Sequence, residues 1–356
     1  MKINTMYIIV TLLLSHIGLV SLFFPSLVVD TVDQGHWLVI LLWSSLSYLI
    51  FYFYVFGLKK TAPHSIIETF SQRGKSWLYI GLLPLFFFQL ILVVLSLRTY
   101  SEFTANLLLS ETPVPMAMAV FLIPSLYIAC GSFESILRTG FLISIIVSPI
   151  IFIILLFSLQ NTHWTNIMPL SPPGLDAIFD KSFIDGLFIQ APVFTYLGFI
   201  PSKIKYNSGA VFYFGLLGIL FAFIAVYIPL AIYSQEAISL FLFPFPAALD
   251  TVHIEWSVFE RLSVVFCLIL IIFAVLFLAM TLLTIRLLYQ AFVKAQTTHS
   301  IIFLIIVSIC LYIFAYLLVN WNQVERAVTW STPLRIYTFV SIPLALYWLG
   351  IRRKTA

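Results

Sequence analysis

Long apolar stretches alternate with short polar gaps along almost the whole chain. A helix that crosses the hydrocarbon of a bilayer needs about 20 mostly apolar residues. Ten stretches approach or exceed that length: 5–28, 36–57, 77–108, 114–131, 136–159, 184–202, 208–234, 256–288, 299–320 and 332–351. The pattern predicts an all-α integral membrane protein, a single membrane domain over residues 1–356 with ten transmembrane helices. Composition agrees. The chain is 62% hydrophobic and 9% charged, with a mean hydropathy of +1.09, more apolar surface than a water-soluble core can hide.

The gaps alternate in charge, and the alternation orients the path. With the N-terminus placed in the cytoplasm, the inner gaps hold Lys2, then Lys59, Lys60, Arg73 and Lys75, then Arg138, then Lys203 and Lys205, then Arg286 and Lys294, then Arg352, Arg353 and Lys354. That is thirteen of the eighteen Lys and Arg, whereas Glu68 and Glu134 are the two inner acids of fourteen. Excess positive charge marks the cytoplasmic side, so both termini are expected there. The first stretch is read as a span rather than a cleaved leader: only Lys2 precedes it and no small-x-small site follows. Net charge of +4 belongs to these inner gaps and gives no footprint for nucleic acid.

Ten spans divide into two repeats, 5–159 and 184–351, joined by an outer segment. Five is odd, so the second set enters from the opposite side, the arithmetic of an inverted repeat and of a LeuT-like transporter fold. The repeat rests on this count, since the halves share no evident residue-level similarity. Such folds bind ligand where the first helix of each half is interrupted. The first stretch carries Ser15-His16-Ile17-Gly18, and the sixth carries Gln190-Ala191-Pro192 with Phe194 just beyond. Glycine lets a backbone leave helical geometry, and proline removes a ladder bond. Breaks are therefore expected in helices 1 and 6, with freed N–H groups suited to a ligand carboxylate. Gln89, deep in the third stretch, is a further candidate contact. Glycine and proline also mark simple kinks and close packing in membrane helices, and Gln89 would serve equally as an interhelical bond.

Catalytic patterns are missing. The chain has no HExxH, GxSxG, GxxxxGK[ST] or Cys-x-x-Cys, so no enzyme, cofactor or metal is expected. Cys130, Cys267 and Cys310 lie in or beside apolar stretches and read as packing residues. No carboxylate lies at the centre of a span, and 264–273 offers no hydroxyl for a sodium ion. The chain is thus better equipped to bind a ligand than to couple its movement to an ion.

Residues at the ends of the stretches add a family likeness. Gly131-Ser132-Phe133-Glu134 followed by Arg138 forms a G-x-x-E-x-x-x-R pattern, with Glu134 and Arg138 spaced to pair on one helical face. Phe259-Glu260-Arg261-Leu262 opens the eighth stretch after Phe243-Pro244, and Glu260 and Arg261 are expected to be structural ion-pair residues. Arg98 and Glu102 precede Thr112-Pro113, while Gly18 and Pro25 precede Trp37. This ordered set resembles the spore germination permease family, the B subunits of nutrient germinant receptors (GerAB-like proteins), within the amino acid–polyamine–organocation superfamily. Ser263 and the Gln34-Gly35-His36 gap depart from that family's usual pattern. The resemblance implies a sensing subunit that binds a small nutrient such as an amino acid in the lipid of the spore inner membrane, beside a membrane-embedded A subunit and a lipoprotein C subunit. An amino acid permease of the same superfamily is the alternative.

Overall fold

The computed structural model describes residues 3–108, 111–174, 176–251 and 262–352. Every regular element among them is helical: α1 (Thr5–Thr31), α2 (His36–Thr61), α3 (Ile66–Ser71), α4 (Lys75–Leu107), α5 (Val114–Cys130), α6 (Phe133–Ser158), α7 (Asp176–Phe179), α8 (Lys181–Gly186), α9 (Ser208–Ile238), α10 (Pro244–Asp250), α11 (Leu262–Val293), α12 (Thr297–Leu317) and α13 (Trp321–Arg352). Eight of these are long and apolar enough to cross a membrane among the described residues, and α5 is a shorter apolar helix. The chain is an integral membrane protein.

Burial sorts the helices into a centre and a rim. The most apolar window of α1 is 89% buried and that of α11 67%, against 28% for α6 and for α12. Lipid tails accept an all-apolar helix as readily as protein does, so hydropathy alone does not choose the centre; packing does, and α1 packs on α6, α9 and α11. Beside this centre, α2 lies along α13 in the most extensive helix pair of the fold.

Local chemistry explains most boundaries. Ser65 and Glu68 form a reciprocal capping box that starts α3, which then turns Ile66 and Phe70 into the protein. Ser132 caps α6 by accepting from the Ser135 N–H. Ser234, at φ 68°, breaks the helical geometry of α9 where the apolar pattern places its end. By contrast, α13 begins eleven residues before the expected start at 332. Its first turns carry Asn322, Gln323, Glu325 and Arg326, which hide the helix from a hydropathy reading, yet Val324 and Val328 pack against Leu95 of α4.

Two expectations need correction. The break expected at Ser15–Gly18 is absent: α1 is one helix from Thr5 to Thr31, through Pro25. Gly18 serves close packing instead, because a Cβ there would lie 2.9 Å from Cβ of Phe273 on α11. The second concerns Glu134, which pairs with Lys203 at 2.6 Å rather than with Arg138. Arg138 is exposed, and an exposed i,i+4 pair contributes only about 0.3–0.5 kcal/mol, too little to hold Glu134 against another partner. Glu260 and Arg261 lie outside the described residues.

Candidate functional site

The sixth stretch is not one helix. α8 ends at Gly186, residues 187–191 are irregular, and Pro192–Phe199 forms a 3₁₀ helix. Each part has a local cause. Asp180 caps α8 through the Lys181 N–H at 2.6 Å. Gly186 admits the indole of Trp43, since a Cβ there would fall 1.9 Å from the ring, and Trp43 Nε1 donates to the Phe183 carbonyl at 3.1 Å. Phe188 takes a left-handed φ of 59°, a conformation that costs a non-glycine residue about 1 kcal/mol or more. Short-range bonds then replace the α ladder: Ile189 N–H to Gly186 O at 3.2 Å and Ala191 N–H to Phe188 O at 3.0 Å. Pro192, which has no N–H to lose, opens the next helical piece.

Polar side chains from three helices converge on this interruption. Gln190 Nε2 donates to Ser44 Oγ on α2 at 3.3 Å. Gln89 Nε2 on α4 donates to Thr195 Oγ1 at 3.4 Å, and Thr195 Oγ1 donates to the Pro192 carbonyl at 2.7 Å. Tyr54 on α2 donates to the Thr195 carbonyl at 2.8 Å. The His16 ring stacks on Phe194 with centroids 5.8 Å apart, and Phe194 stacks on Phe51 at 4.1 Å. His16 lies beside the backbone of Gly218 and Gln190, but neither ring nitrogen closes a well-formed hydrogen bond among the described residues. Gln89 Oε1 and the Tyr100 hydroxyl are also buried without partners there. Buried polar groups are nearly always bonded, so unpartnered atoms of His16 and Gln89 gathered against one interrupted segment call for an explanation.

Of the residues expected at the site, the structure brings together His16, Gln89, Gln190 and Phe194. Ser15, Ile17 and Gly18 are spread around α1. Ser15 Oγ approaches Met280 Sδ at 3.6 Å, and Gly18 faces Phe273 and Tyr100. An unbroken helix turns about 100° per residue, so four successive side chains cannot share one pocket. Pro192 and Ala191 line separate small cavities on either side of the segment. The sequence alone points to Tyr196, with Phe194, as a pocket aromatic, but it missed Ser44, Tyr54, Tyr100, Thr195 and Thr281, whose hydroxyl meets that of Tyr196 at 2.6 Å. It also missed Gly218, where a Cβ would come within 2.8 Å of His16 Nε2. The spacing of Gly215 and Gly218 on one face of α9 was the available signal.

Larger spaces flank the interruption. At its α8 end a cavity of about 260 Å³ is lined by Asp30, Asp185 and Glu325 together with Phe23, Trp321 and Leu240. Asp185 is held by Thr332 at 3.0 Å and Thr329 at 2.8 Å. The guanidinium of Arg335, 2% exposed, donates to the Asp185 carbonyl, placing a cation at the C-terminal end of α8 where the helix dipole favours it. Beyond Phe199 a second cavity, about 410 Å³, is lined by Lys59, His64, Lys205 and Tyr206. Three cavities of about 20 Å³ each lie around residues 189–195 between them.

This architecture, long apolar helices around a polar interruption, is that of a membrane transporter or receptor rather than an enzyme. A crystal structure of MhsT in complex with L-phenylalanine has the same fold, with a TM-score of 0.67 over 98% of each chain at 14% sequence identity. The fold is therefore of the LeuT type. No curated protein matches the chain. A family of spore germination proteins, the spore permeases, matches residues 2–324, and the chain belongs to that family.

Proposed function

We propose that the protein is the nutrient-sensing subunit of a spore germinant receptor and that it binds a small amphoteric ligand, an amino acid, at the interruption in its sixth stretch. One observation carries the reading: unpartnered polar atoms of His16 and Gln89 lie against the interrupted segment in the interior of a membrane protein, His16 beside the Gln190 backbone and Gln89 on Thr195. Irregular backbone at membrane depth persists where it lines a cavity or is buried in protein. His16, Gln89, Gln190 and Phe194 form the ligand face, while Ser15, Ile17, Gly18, Ala191 and Pro192 shape it from behind. The likeness to a structure described with bound L-phenylalanine supports this ligand class.

In this reading the chain crosses the membrane ten times, with α5 and the interrupted stretch counted as crossings, in two inverted sets of five. Both termini lie in the cytoplasm, as the thirteen basic residues of the inner gaps support. The acidic cavity then faces outward, under Leu240, and the basic cavity faces inward. The protein resides in the lipid of the spore inner membrane beside a membrane A subunit and a lipoprotein C subunit. Ligand binding shifts the balance between conformations, and the partners respond to that shift.

An amino acid permease is the second reading, favoured by the transporter fold itself. Purified full-length protein in nanodiscs, titrated with the twenty amino acids, is expected to bind one or a few saturably. His16→Phe and Gln89→Leu should each weaken that binding about tenfold, the loss of one hydrogen bond to a charged group. Failure to bind any amino acid overturns the ligand class. Accumulation of the bound amino acid against a gradient in proteoliposomes overturns the sensing role and favours the permease.

A further inference from the structure

One of the small cavities has a chemistry that ligand binding does not use. It measures about 20 Å³ and lies between α2, the interrupted segment and α13, with Ser47, Tyr54, Thr195, Thr338, Phe339 and Pro343 in its walls. Ser47 and Thr338 are 2% and 0% exposed, and neither hydroxyl has a hydrogen-bond partner among the described residues. A helical Ser or Thr ordinarily returns its hydroxyl to a carbonyl three or four residues earlier. Thr61, Thr281 and Thr332 do so here; Ser47 and Thr338 do not. A third group joins them. Pro343 lies inside α13 and has no N–H, so the Phe339 carbonyl one turn earlier lacks its ladder donor.

Residues that carry two unpartnered hydroxyls and one carbonyl without its ladder donor therefore line a single space. A water needs roughly 10–15 Å³ of accessible volume and two to four polar partners. The cavity meets both conditions. Every lining group is neutral, which suits water rather than a metal ion. We propose that this cavity binds one structural water, held by Ser47 Oγ, Thr338 Oγ1 and the Phe339 carbonyl. The water supplies the bond that Pro343 removes from α13. It also joins α2 to α13 directly behind Ala191, Phe194 and Thr195, so the interrupted segment rests on a hydrated joint rather than on packed methyl groups.

X-ray radiolysis of the full chain in nanodiscs tests this, because hydroxyl radicals form at bound water and oxidise its neighbours. Phe339 is expected to be oxidised well above Phe273, which is 0% exposed in the apolar core. In Ser47→Ala/Thr338→Val the Phe339 signal should fall several-fold while Phe273 is unchanged. Phe339 labelling no greater than that of Phe273, or labelling that survives the double substitution, overturns the proposal. If the double variant does not fold, Thr338→Val alone, nearly identical in shape, gives the same readout. Melting in sodium, potassium and choline chloride completes the test. Equal midpoints support water, and a cation-specific rise that the variant abolishes overturns it in favour of an ion.

Discussion

The first and sixth apolar stretches carry similar sequence signs of a break, yet one is an unbroken helix and the other is not. In α1, Ser15-His16-Ile17-Gly18 keeps its ladder, and Gly18 is a contact surface for Phe273. In the sixth stretch, Gln190-Ala191-Pro192 follows a glycine filled by the Trp43 ring and a left-handed Phe188. The difference teaches that glycine permits a break without demanding one. Proline alone does not demand one either, since α1 continues through Pro25; in the sixth stretch the lost donor coincides with a large ring against Gly186 and a left-handed Phe188, and there the α-helix stops.

Three substitutions would break or sharpen this contrast. The largest effect is expected at Gly186→Leu, where even the first added carbon falls within the Trp43 indole. Overpacking of this kind costs about 3 kcal/mol, so a clear fall in thermal midpoint should appear, and Trp43→Ala in the same chain should recover part of it. Independence of the two substitutions would refute the wedge. Gly18→Ala comes next. If the glycine is a contact, the cost is about 1–2 kcal/mol and is relieved by trimming Phe273 to Ala; were it a hinge, amino acid affinity would change with no coupling to Phe273. The smallest effect belongs to Glu134→Gln, which removes the partner of the exposed Lys203. A change within about 0.5 kcal/mol is expected, and it should vanish at high salt, whereas Arg138→Gln should do nothing.

Much of the architecture could be read from periodicity, because a bilayer imposes its thickness on every crossing. The stretch limits agree with α2, α4, α5, α6 and α9 to within a few residues. The reading failed where polarity and helicity part company. The first turns of α13 are polar because they border the acidic cavity through Glu325 and Thr329. At the site, Gln89, Gln190 and His16 were legible because a polar group at depth is costly and therefore rare. Thr195 and Tyr54 were not, since hydroxyls bonded to carbonyls are common in membrane helices and carry no sign of their neighbours; Tyr100 was one tyrosine among seventeen, and nothing in its sequence surroundings marks its hydroxyl as unpartnered. The pairing of Glu134 with Lys203 depends on where the chain returns after the interruption, which spacing along one helix does not encode.

Trp43, Tyr54 and Arg335 together have a mechanical consequence. The first two tie α2 to the beginning and end of the interruption, at Phe183 and Thr195. The third ties α13 to Asp185. With the Gln190–Ser44 bond and the Thr329 and Thr332 bonds to Asp185, the broken segment is riveted to the α2–α13 slab, while Phe194 on its ligand-bearing side meets His16 of α1 through ring stacking. Any tilt of the slab would sweep Gln190 and Phe194 past a stationary His16, turning a loose contact into a sliding seam.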